Sequence, residues 1–303
     1  MTTKETKEWF VEMPWGNVAM ISWGDSTKPP ILMVHGYLDT AATFIPLVEL
    51  LPDNYYYVSF DFPGHGKSDH VSVAPLATQT LFTEVLRRVV EHMRWKNFIY
   101  MAHSMGFING IYYHHIFPKK IKRMIIIDPV VPVGNQFYVN YAVGAWFKTN
   151  YEEHYDSYHK QINDPKLYTY EQAVTAMMNA RNLTRAQTKL LLNRCLVPVE
   201  FGVHRMTFQP AMRRVFGTWL PEYTLNHVIT SKPPPTLVIN ATENKLTPAM
   251  VLLAKKLMKT YAESTTIHHN VLVEGKHDVH ITNPEQLVPH IIDFLNDTVK
   301  SKL

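Results

Sequence analysis

The feature that most restricts the fold of this chain is a series of short apolar runs, each bounded by turn residues. In the first half they cover residues 31–34, 55–60, 98–102 and 124–127. Apolar runs of this length, without regular polar alternation, are typical of strands that are buried on both faces of a sheet. We therefore expect a sheet that lies in the middle of the molecule.

Stretches with helical spacing separate these runs. Within residues 76–93, Leu81, Val85, Val89 and Met93 lie on one stripe, and residues 106–117 form a second such stretch. Strands that alternate with helices predict a parallel sheet with right-handed crossover connections. The fold class is therefore α/β, with helices on both faces of a mostly parallel sheet.

The alternation of predicted strands and helices stops after Asp128 and resumes after three prolines at 233–235. The intervening segment is rich in Tyr and His and contains two predicted helices, whereas beyond it the alternation of strands and helices resumes. We predict a core made of residues 1–129 and 233–303, with residues 130–232 inserted as a helical cap. The predicted helices of the cap are 170–180 and 184–196; the later core elements are strands 236–239 and 267–273 and helices 248–261 and 284–295.

Composition excludes several classes of protein. The chain has 303 residues, of which 46% are hydrophobic and 18% charged, which suits a globular fold and not a disordered one. The net charge of +4 comes from dispersed Lys and Arg, so a nucleic-acid partner is not indicated. The lone cysteine, Cys195, cannot form an internal disulfide, no run reaches the roughly 18 apolar residues of a transmembrane segment, and no signal peptide is evident. We expect an intracellular protein.

The final tripeptide, Ser301-Lys302-Leu303, has the sequence of a peroxisomal address. Such an address is read by an import receptor at a free C-terminus. We therefore expect a peroxisomal location with the import receptor as a partner, and a cytoplasmic location otherwise.

A candidate nucleophile lies where the third apolar run meets a helix. Residues 102–106 read Ala-His-Ser-Met-Gly, which fits the nucleophile-elbow pattern G-x-S-x-G with Ala102 in place of the first glycine. The turn is tight, so large side chains two residues before or after the serine would collide with neighbouring elements. An ordinary serine N-cap would need neither small residue. Ser104 is therefore predicted to be a nucleophile.

A candidate base follows the last predicted strand. His277 lies in the loop 273–278, just before the closing helix. Histidine titrates near neutrality, so it can accept the proton of a serine and later return it. The other nearby histidines, including His280, are assigned to the surface or to packing, and their spacing is too sparse for a metal site.

Four motifs together resemble the α/β-hydrolase superfamily over essentially the whole chain. They are His35-Gly36-Tyr37-Leu38-Asp39, the glycine-containing turn 61–68, His103-Ser104-Met105-Gly106 and Gly275-Lys276-His277. More narrowly, Trp15-Gly16, the same turn, residues 190–214 and the C-terminal tripeptide resemble the serine hydrolase-like proteins of animals, a group associated with peroxisomes.

The resemblance implies an eight-stranded, mostly parallel sheet, a helical cap and ester-type hydrolysis without a cofactor or a metal. It maps the nucleophile to Ser104, the base to His277 and the oxyanion hole to the backbone N–H groups of Tyr37 and Met105. His35 would then be a buried structural residue of the oxyanion loop.

The carboxylate that orients the base has more than one candidate. At the usual location after strand 236–239 the expected aspartate is replaced by Asn244. Asp128, at the end of the neighbouring strand, is the preferred candidate, while Glu243 and a neutral Asn244 remain alternatives. Asp128 could also simply cap the loop that leads into the cap.

The leading functional hypothesis is a serine hydrolase that cleaves an ester, thioester or similar acyl bond of a small apolar substrate. The aromatic and Met residues between 137 and 219 favour an apolar pocket. A ligand-binding or weakly active hydrolase-like protein is the alternative, because the fold does not decide between them. A cofactor-free oxygenase or luciferase-like activity is a third hypothesis.

Overall fold

The structure is a computed structural model that describes residues 4–71, 78–129, 144, 147–156, 166–209, 212, 222–243, 248–265 and 268–296. Its strands are β1 (Thr6–Met13), β2 (Gly16–Trp23), β3 (Pro30–Val34), β4 (Tyr56–Phe60), β5 (Phe98–His103), β6 (Ile121–Ile127), β7 (Leu167–Tyr168), β8 (Leu196–Glu200), β9 (Val203–Met206), β10 (Thr236–Glu243) and β11 (His268–Lys276).

The α-helices are α1 (Ile45–Leu50), α2 (Gln79–His92), α3 (Gly106–Ile116), α4 (Glu153–Asp156), α5 (Tyr170–Arg181), α6 (Arg185–Cys195), α7 (Glu222–Thr230), α8 (Pro248–Ser264), α9 (Val279–Thr282) and α10 (Pro284–Asn296). A 3₁₀ helix, Ala41–Phe44, precedes α1, and a π-helix, Lys148–Glu152, precedes α4. None of the described helices is long and apolar enough to cross a lipid bilayer.

Eight strands form one sheet in the order β1-β2-β4-β3-β5-β6-β10-β11. Strands β4 to β11 of this series pair in parallel, whereas β1 and β2 are antiparallel to their neighbours. The expected mostly parallel, eight-stranded sheet is therefore confirmed. The first two strands were not predicted: β1 is largely exposed and lacks an apolar run, whereas the buried apolar run 18–21 of β2 was overlooked.

Alternate residues of the inner strands supply two apolar clusters, one on each face of the sheet. In β5, Tyr100 and Ala102 point to the face covered by α2, α3, α7 and α8, whereas Met101 points to the face covered by α1 and α10. This period of two follows from the pleat of a strand. The carboxyl ends of the parallel strands meet at one edge, where ligand sites form in open α/β sheets.

The inserted segment contains helices, as expected, but it is not purely helical. Strands β7, β9 and β8 form a small antiparallel sheet, and β8 joins β9 through a turn at Gly202 with φ of +75°. The helical description of the cap is corrected in this respect. Residues 196–200 continue directly from α6 and include Pro198, which an internal helical position would not tolerate. The boundaries 130 and 232 of the cap remain a prediction.

Candidate functional site

Ser104 lies on a sharp turn between β5 and α3. Its φ is +54°, in the left-handed region that non-glycine residues rarely adopt, and its backbone N–H donates to the carbonyl of Ile127 on the neighbouring strand at 3.1 Å. The strained conformation is held by the strand before it and the helix after it. Strain of this kind concentrates at functional sites.

The residues two positions from Ser104 must be small for a steric reason. A Cβ on Gly106 would lie 2.6 Å from the carbonyl oxygen of Val34 and 3.1 Å from the Cβ of Ala102. These two distances leave no space for a side chain at position 106. They also show that the Cβ of Ala102 packs directly against Gly106 at the turn. The substitution of alanine for the first glycine of the pattern therefore fits the turn.

His277 connects Ser104 to Asp128. Its Nε2 lies 2.9 Å from Ser104 Oγ, and its Nδ1 lies 2.6 Å from Asp128 Oδ2. With the proton on Nδ1, the imidazole donates to the carboxylate and accepts from the hydroxyl. Ser104 and Asp128 are buried, whereas the His277 side chain is 42% exposed. The base therefore faces an opening, while the groups that it contacts are covered.

Asp128 is fixed from the strand ends beside it. Its N–H donates to the carbonyl of Ile239 at 2.7 Å, and its Oδ1 accepts from the N–H of Ala241 at 3.0 Å. The second oxygen is thereby left for His277. Of the three candidate acids, the structure brings Asp128 to His277. Glu243 lies at the exposed end of β10, paired in register with Lys276, and Asn244 lies outside the described residues.

The predicted oxyanion loop passes directly beside Ser104. A Cβ on Gly36 would lie 2.9 Å from the Cβ of Ser104 and 3.4 Å from its Oγ, so only glycine permits this approach. Tyr37 follows Gly36, and Met105 follows Ser104 as the residue that precedes α3. The role of these two N–H groups in an oxyanion hole stays a prediction. His35 is fully buried, and its Nε2 accepts from the N–H of Phe62 at 3.0 Å, which is a structural contact.

Two further histidines pack beneath His277. The ring of His103 lies 4.6 Å from that of His277 and 4.0 Å from that of His280, centroid to centroid. His103 donates from Nε2 to the carbonyl of His277 at 2.9 Å. Burial lowers the pKa of His103 well below its usual value and that of His280 to about 3, so both rings stay neutral near pH 7. His280 is therefore a packing residue, as expected.

Arg181, the last residue of α5, reaches from the cap into this layer. Its guanidinium donates to both oxygens of Asp39 at 2.8 and 3.0 Å and to both oxygens of Asp278 at 2.5 and 2.9 Å. Burial alone would raise the pKa of Asp39, but Arg181 outweighs it and holds that pKa well below the usual range. Asp39 follows the oxyanion loop, and Asp278 is the neighbour of His277.

The same carboxylates have the donor types of a metal site. One ligand atom from each of Asp39, His103, Asp278 and His280 can be chosen so that all lie within 4.8 Å of one another. Arg181, however, already binds both carboxylates and compensates one of their two negative charges. We therefore describe this group as a buried ion-pair network.

A second arginine of the cap, which is buried, binds the turn 61–68. Arg194, on α6, donates from Nε to Asp61, whose carboxylate also accepts from the N–H groups of Ala41 and Lys67 at 2.7 and 2.8 Å. A Cβ on Gly66 would overlap the Asp61 carboxylate, which explains the glycine. The turn is therefore structural, as the sequence indicated. Arg181 and its two partners were missed, because they are 97 and 142 positions apart and carry no local signal.

Comparisons with known proteins agree with this geometry. The family described as "alpha/beta hydrolase fold" matches residues 29–284. A serine hydrolase-like protein of Danio rerio is 28% identical over 300 residues, which are 96% of this chain and 89% of that protein. A serine hydrolase-like protein of Homo sapiens is 41% identical over 117 residues, which are 38% of this chain and 57% of the human protein.

Solved structures show the same fold. The thioesterase domain from the curacin biosynthetic pathway superposes with a TM-score of 0.76 at 20% identity and covers 95% of this chain and 99% of its own. An esterase of Mycobacterium tuberculosis gives a TM-score of 0.71 at 16% identity, with 97% and 92% covered. At these identities the likeness concerns the fold alone. The family match extends over most of the sequence, and the chain therefore belongs to the alpha/beta hydrolase fold family, in which it is similar to serine hydrolase-like proteins.

Proposed function

We propose that the protein is a serine hydrolase that cleaves an ester-type bond of a small apolar acyl compound through an acyl-enzyme. The observation that carries this proposal is the hydrogen-bonded chain from Ser104 through His277 to Asp128, with contacts of 2.9 and 2.6 Å. A nucleophile, a base and a group that orients the base are the three parts that such chemistry needs.

In the first step, Ser104 Oγ attacks the acyl carbon while its proton passes to His277 Nε2. Asp128 stabilises the imidazolium, and the backbone N–H groups of Tyr37 and Met105 donate to the oxyanion. Two fixed donors in a site from which water is excluded are commonly worth a few kcal/mol each. His277 then gives its proton to the leaving alcohol or thiol as the acyl bond breaks.

In the second step, water attacks the acyl-enzyme. His277 Nε2 takes a proton from the water, a second tetrahedral intermediate forms at the same position, and the bond to Ser104 Oγ breaks as the proton returns to Oγ. The carboxylic acid leaves, and the free serine is restored. A serine at this position argues against haloalkane or epoxide opening, which uses an aspartate nucleophile.

The acyl class is proposed from chemistry at the opening. Tyr37, in the loop whose Gly36 approaches Ser104, has a large side chain that is 46% exposed. An aromatic surface beside a serine favours an apolar acyl chain over a charged one. A thioesterase domain and an esterase share the fold, so both bond types belong in the substrate test.

A fluorophosphonate probe tests the nucleophile. We expect one covalent adduct on the intact wild-type protein, measured by mass spectrometry, and none on Ser104→Ala of equal melting temperature. Oxygen esters and thioesters with matched short, medium and long acyl chains then assign the substrate class. A folded wild-type protein that the probe does not label would overturn the proposal and favour a ligand-binding protein on the same scaffold.

We also propose that Ser301-Lys302-Leu303 directs import into peroxisomes when Leu303 is the last residue of the expressed protein. A fluorescent protein fused in front of the chain should give peroxisomal puncta, and removal of the three residues should leave the signal in the cytosol. Unchanged import after the deletion would exclude this address.

A further inference from the structure

We propose that Arg181 is a positioning residue, through which docking of the cap holds the base and the oxyanion loop in their working places. This inference rests on the proposed function and extends it to a residue of the cap. Arg181 need not touch the substrate, because its partners are the neighbours of the reacting groups: Asp39 lies two residues after Tyr37, and Asp278 directly follows His277.

The guanidinium joins two loops that are otherwise far apart in the chain. It uses Nε and Nη2 for Asp278 and Nη1 and Nη2 for Asp39, so each carboxylate is bound in the bidentate manner. The planar fork of arginine permits this geometry, whereas the single ammonium group of lysine does not. A displacement of either loop would break at least one of the two ion pairs of Arg181.

One apolar cluster of the cap includes residues that follow the same two loops. Residues of α5 and α6 share a cluster with Ala42, three positions after Asp39, and with Ile281, three positions after Asp278. Gln187 of α6 also donates to the carbonyl of Ile281 at 3.0 Å. The cap therefore contacts the core at the segments that follow the oxyanion loop and the base.

Burial makes the coupling strong. The side chains of Asp39 and Asp278 are 3% and 11% exposed, so each would be a largely buried charge without a cation if the cap moved away. Such charges are costly, and a loop that carries one rearranges toward water. The neighbouring rings of His103 and His280 offer no replacement cation, because burial lowers the pKa of both. Undocking of the cap would thus displace His277 and Tyr37.

The test compares conservative variants of the two cap arginines that pair with core carboxylates, Arg181→Lys and Arg194→Lys. Labelling of Ser104 is followed over a range of fluorophosphonate concentrations, which separates the maximal rate from the half-saturating concentration. For Arg181→Lys we expect a maximal rate lower by about 10- to 100-fold, with half-saturation changed by less than about 3-fold. Arg194→Lys, whose partner Asp61 accepts from the N–H of Ala41 but pairs with neither Arg181 nor the segment of His277, should change the maximal rate by less than about 3-fold.

Hydrogen–deuterium exchange gives a readout that needs no activity. In Arg181→Lys, exchange should rise in peptides 36–43 and 277–283, whereas in Arg194→Lys it should not rise in 277–283. If Arg181→Lys does not fold, Asp278→Asn replaces it in both measurements. This variant weakens the ion pair between Arg181 and Asp278 and keeps the ion pair between Arg181 and Asp39.

The outcomes separate this inference from the proposed function. A wild-type protein without label overturns the proposed hydrolase. A labelled wild type together with an equally fast Arg181→Lys overturns the positioning role alone, as does equal slowing by Arg181→Lys and Arg194→Lys, because a general effect of cap stability would then account for both.

Discussion

The core and the cap are held by different forces. Both faces of the eight-stranded sheet are covered by large clusters of buried apolar side chains. The junction between cap and core has a smaller apolar cluster, together with one partly buried and one buried arginine, Arg181 and Arg194, that reach from the cap to carboxylates of the core. Removal of apolar surface from water stabilises the core without specifying partners, whereas each buried charge must find one particular counter-charge.

The difference between apolar burial and buried ion pairs shows how the position of the cap on the core is specified. A buried ion pair adds little net stability, because the cost of dehydrating both charges offsets their attraction. A misplaced pair, however, leaves unpaired charges and is strongly disfavoured. The arginine pairs therefore fix where the cap sits, while apolar burial stabilises the sheet. The proposed chemistry follows the same division: Ser104, His277 and Asp128 all belong to the core, and the proposed positioning residue Arg181 belongs to the cap.

The largest expected effect concerns the core chain of hydrogen bonds. Asp128→Asn replaces the carboxylate that lies 2.6 Å from His277 Nδ1 by a neutral amide, so the imidazole loses its orientation and its cation loses a counter-charge. We expect turnover of an ester substrate to fall by about 100- to 10,000-fold, with little change in KM.

Glu243→Gln is the matched control, because it makes the same chemical change at the exposed end of β10. Its turnover should stay within about 3-fold of the wild type. Similar and small losses in both variants would remove Asp128 from the proposed mechanism and return the acid to the undecided candidates.

Mild acidification should weaken the core and leave the ion pair between Arg181 and Asp39 intact. His35, His65, His103 and His280 are buried in the core, and burial lowers the pKa of each, to about 4, 3 and 3 for His35, His65 and His280. The unfolded chain therefore binds more protons than the folded one as the pH falls through the ordinary histidine pKa of about 6.5, so the free energy of unfolding falls as the pH falls. Asp39, whose pKa is lowered, stays ionised in this range.

Between pH 7.5 and pH 6.0 each ring that stays neutral in the folded protein contributes a loss of just under about 1 kcal/mol, and the four together roughly 3 kcal/mol. Urea unfolding at the two pH values measures this difference directly. His65→Gln removes one titrating ring and should reduce the difference by about a quarter. A free energy of unfolding that is unchanged or higher at pH 6.0 would contradict neutral burial of these histidines.

Much of the core could be predicted from the sequence because its signals are local. The runs 31–34, 98–102 and 124–127 appear as β3, β5 and β6, and the helix expected at 106–117 is α3. The turn around Ser104 was recognisable since small residues are required within two positions of it. Asp128 was favoured as the acid from its place at a strand end, and the structure brings it to His277.

The cap and its junction could be predicted less well, because their determinants are distant in sequence. Helices α5 and α6 match the predicted ones, helped by capping boxes at Thr169 and Thr184. The hairpin of β8 and β9 depends on the turn at Gly202 and on the pairing of β9 with β7. No single sequence motif predicts this pairing. The partners of Arg181 come from two core loops that only the folded sheet brings together.

The smallest expected effect compares one glycine of each region. A Cβ on Gly110, in α3, would overlap the ring of Tyr100, which is buried and donates to the carbonyl of Gly106 at 2.6 Å. The helix gains about 1 kcal/mol from alanine, but the fixed ring prevents relief of the overlap, so we expect Gly110→Ala to lower the free energy of unfolding by about 2 kcal/mol.

Gly202 lies in the cap hairpin, where a Cβ would meet no atom of the described residues within 4 Å, and only its φ of +75° disfavours alanine. Gly202→Ala should therefore cost about 1 kcal/mol, which is the penalty for a left-handed residue with a Cβ. Urea unfolding of both variants measures the order. A larger loss of unfolding free energy for Gly202→Ala than for Gly110→Ala would contradict this order. Backbone conformation in the cap would then restrict substitution more than side-chain packing in the core does.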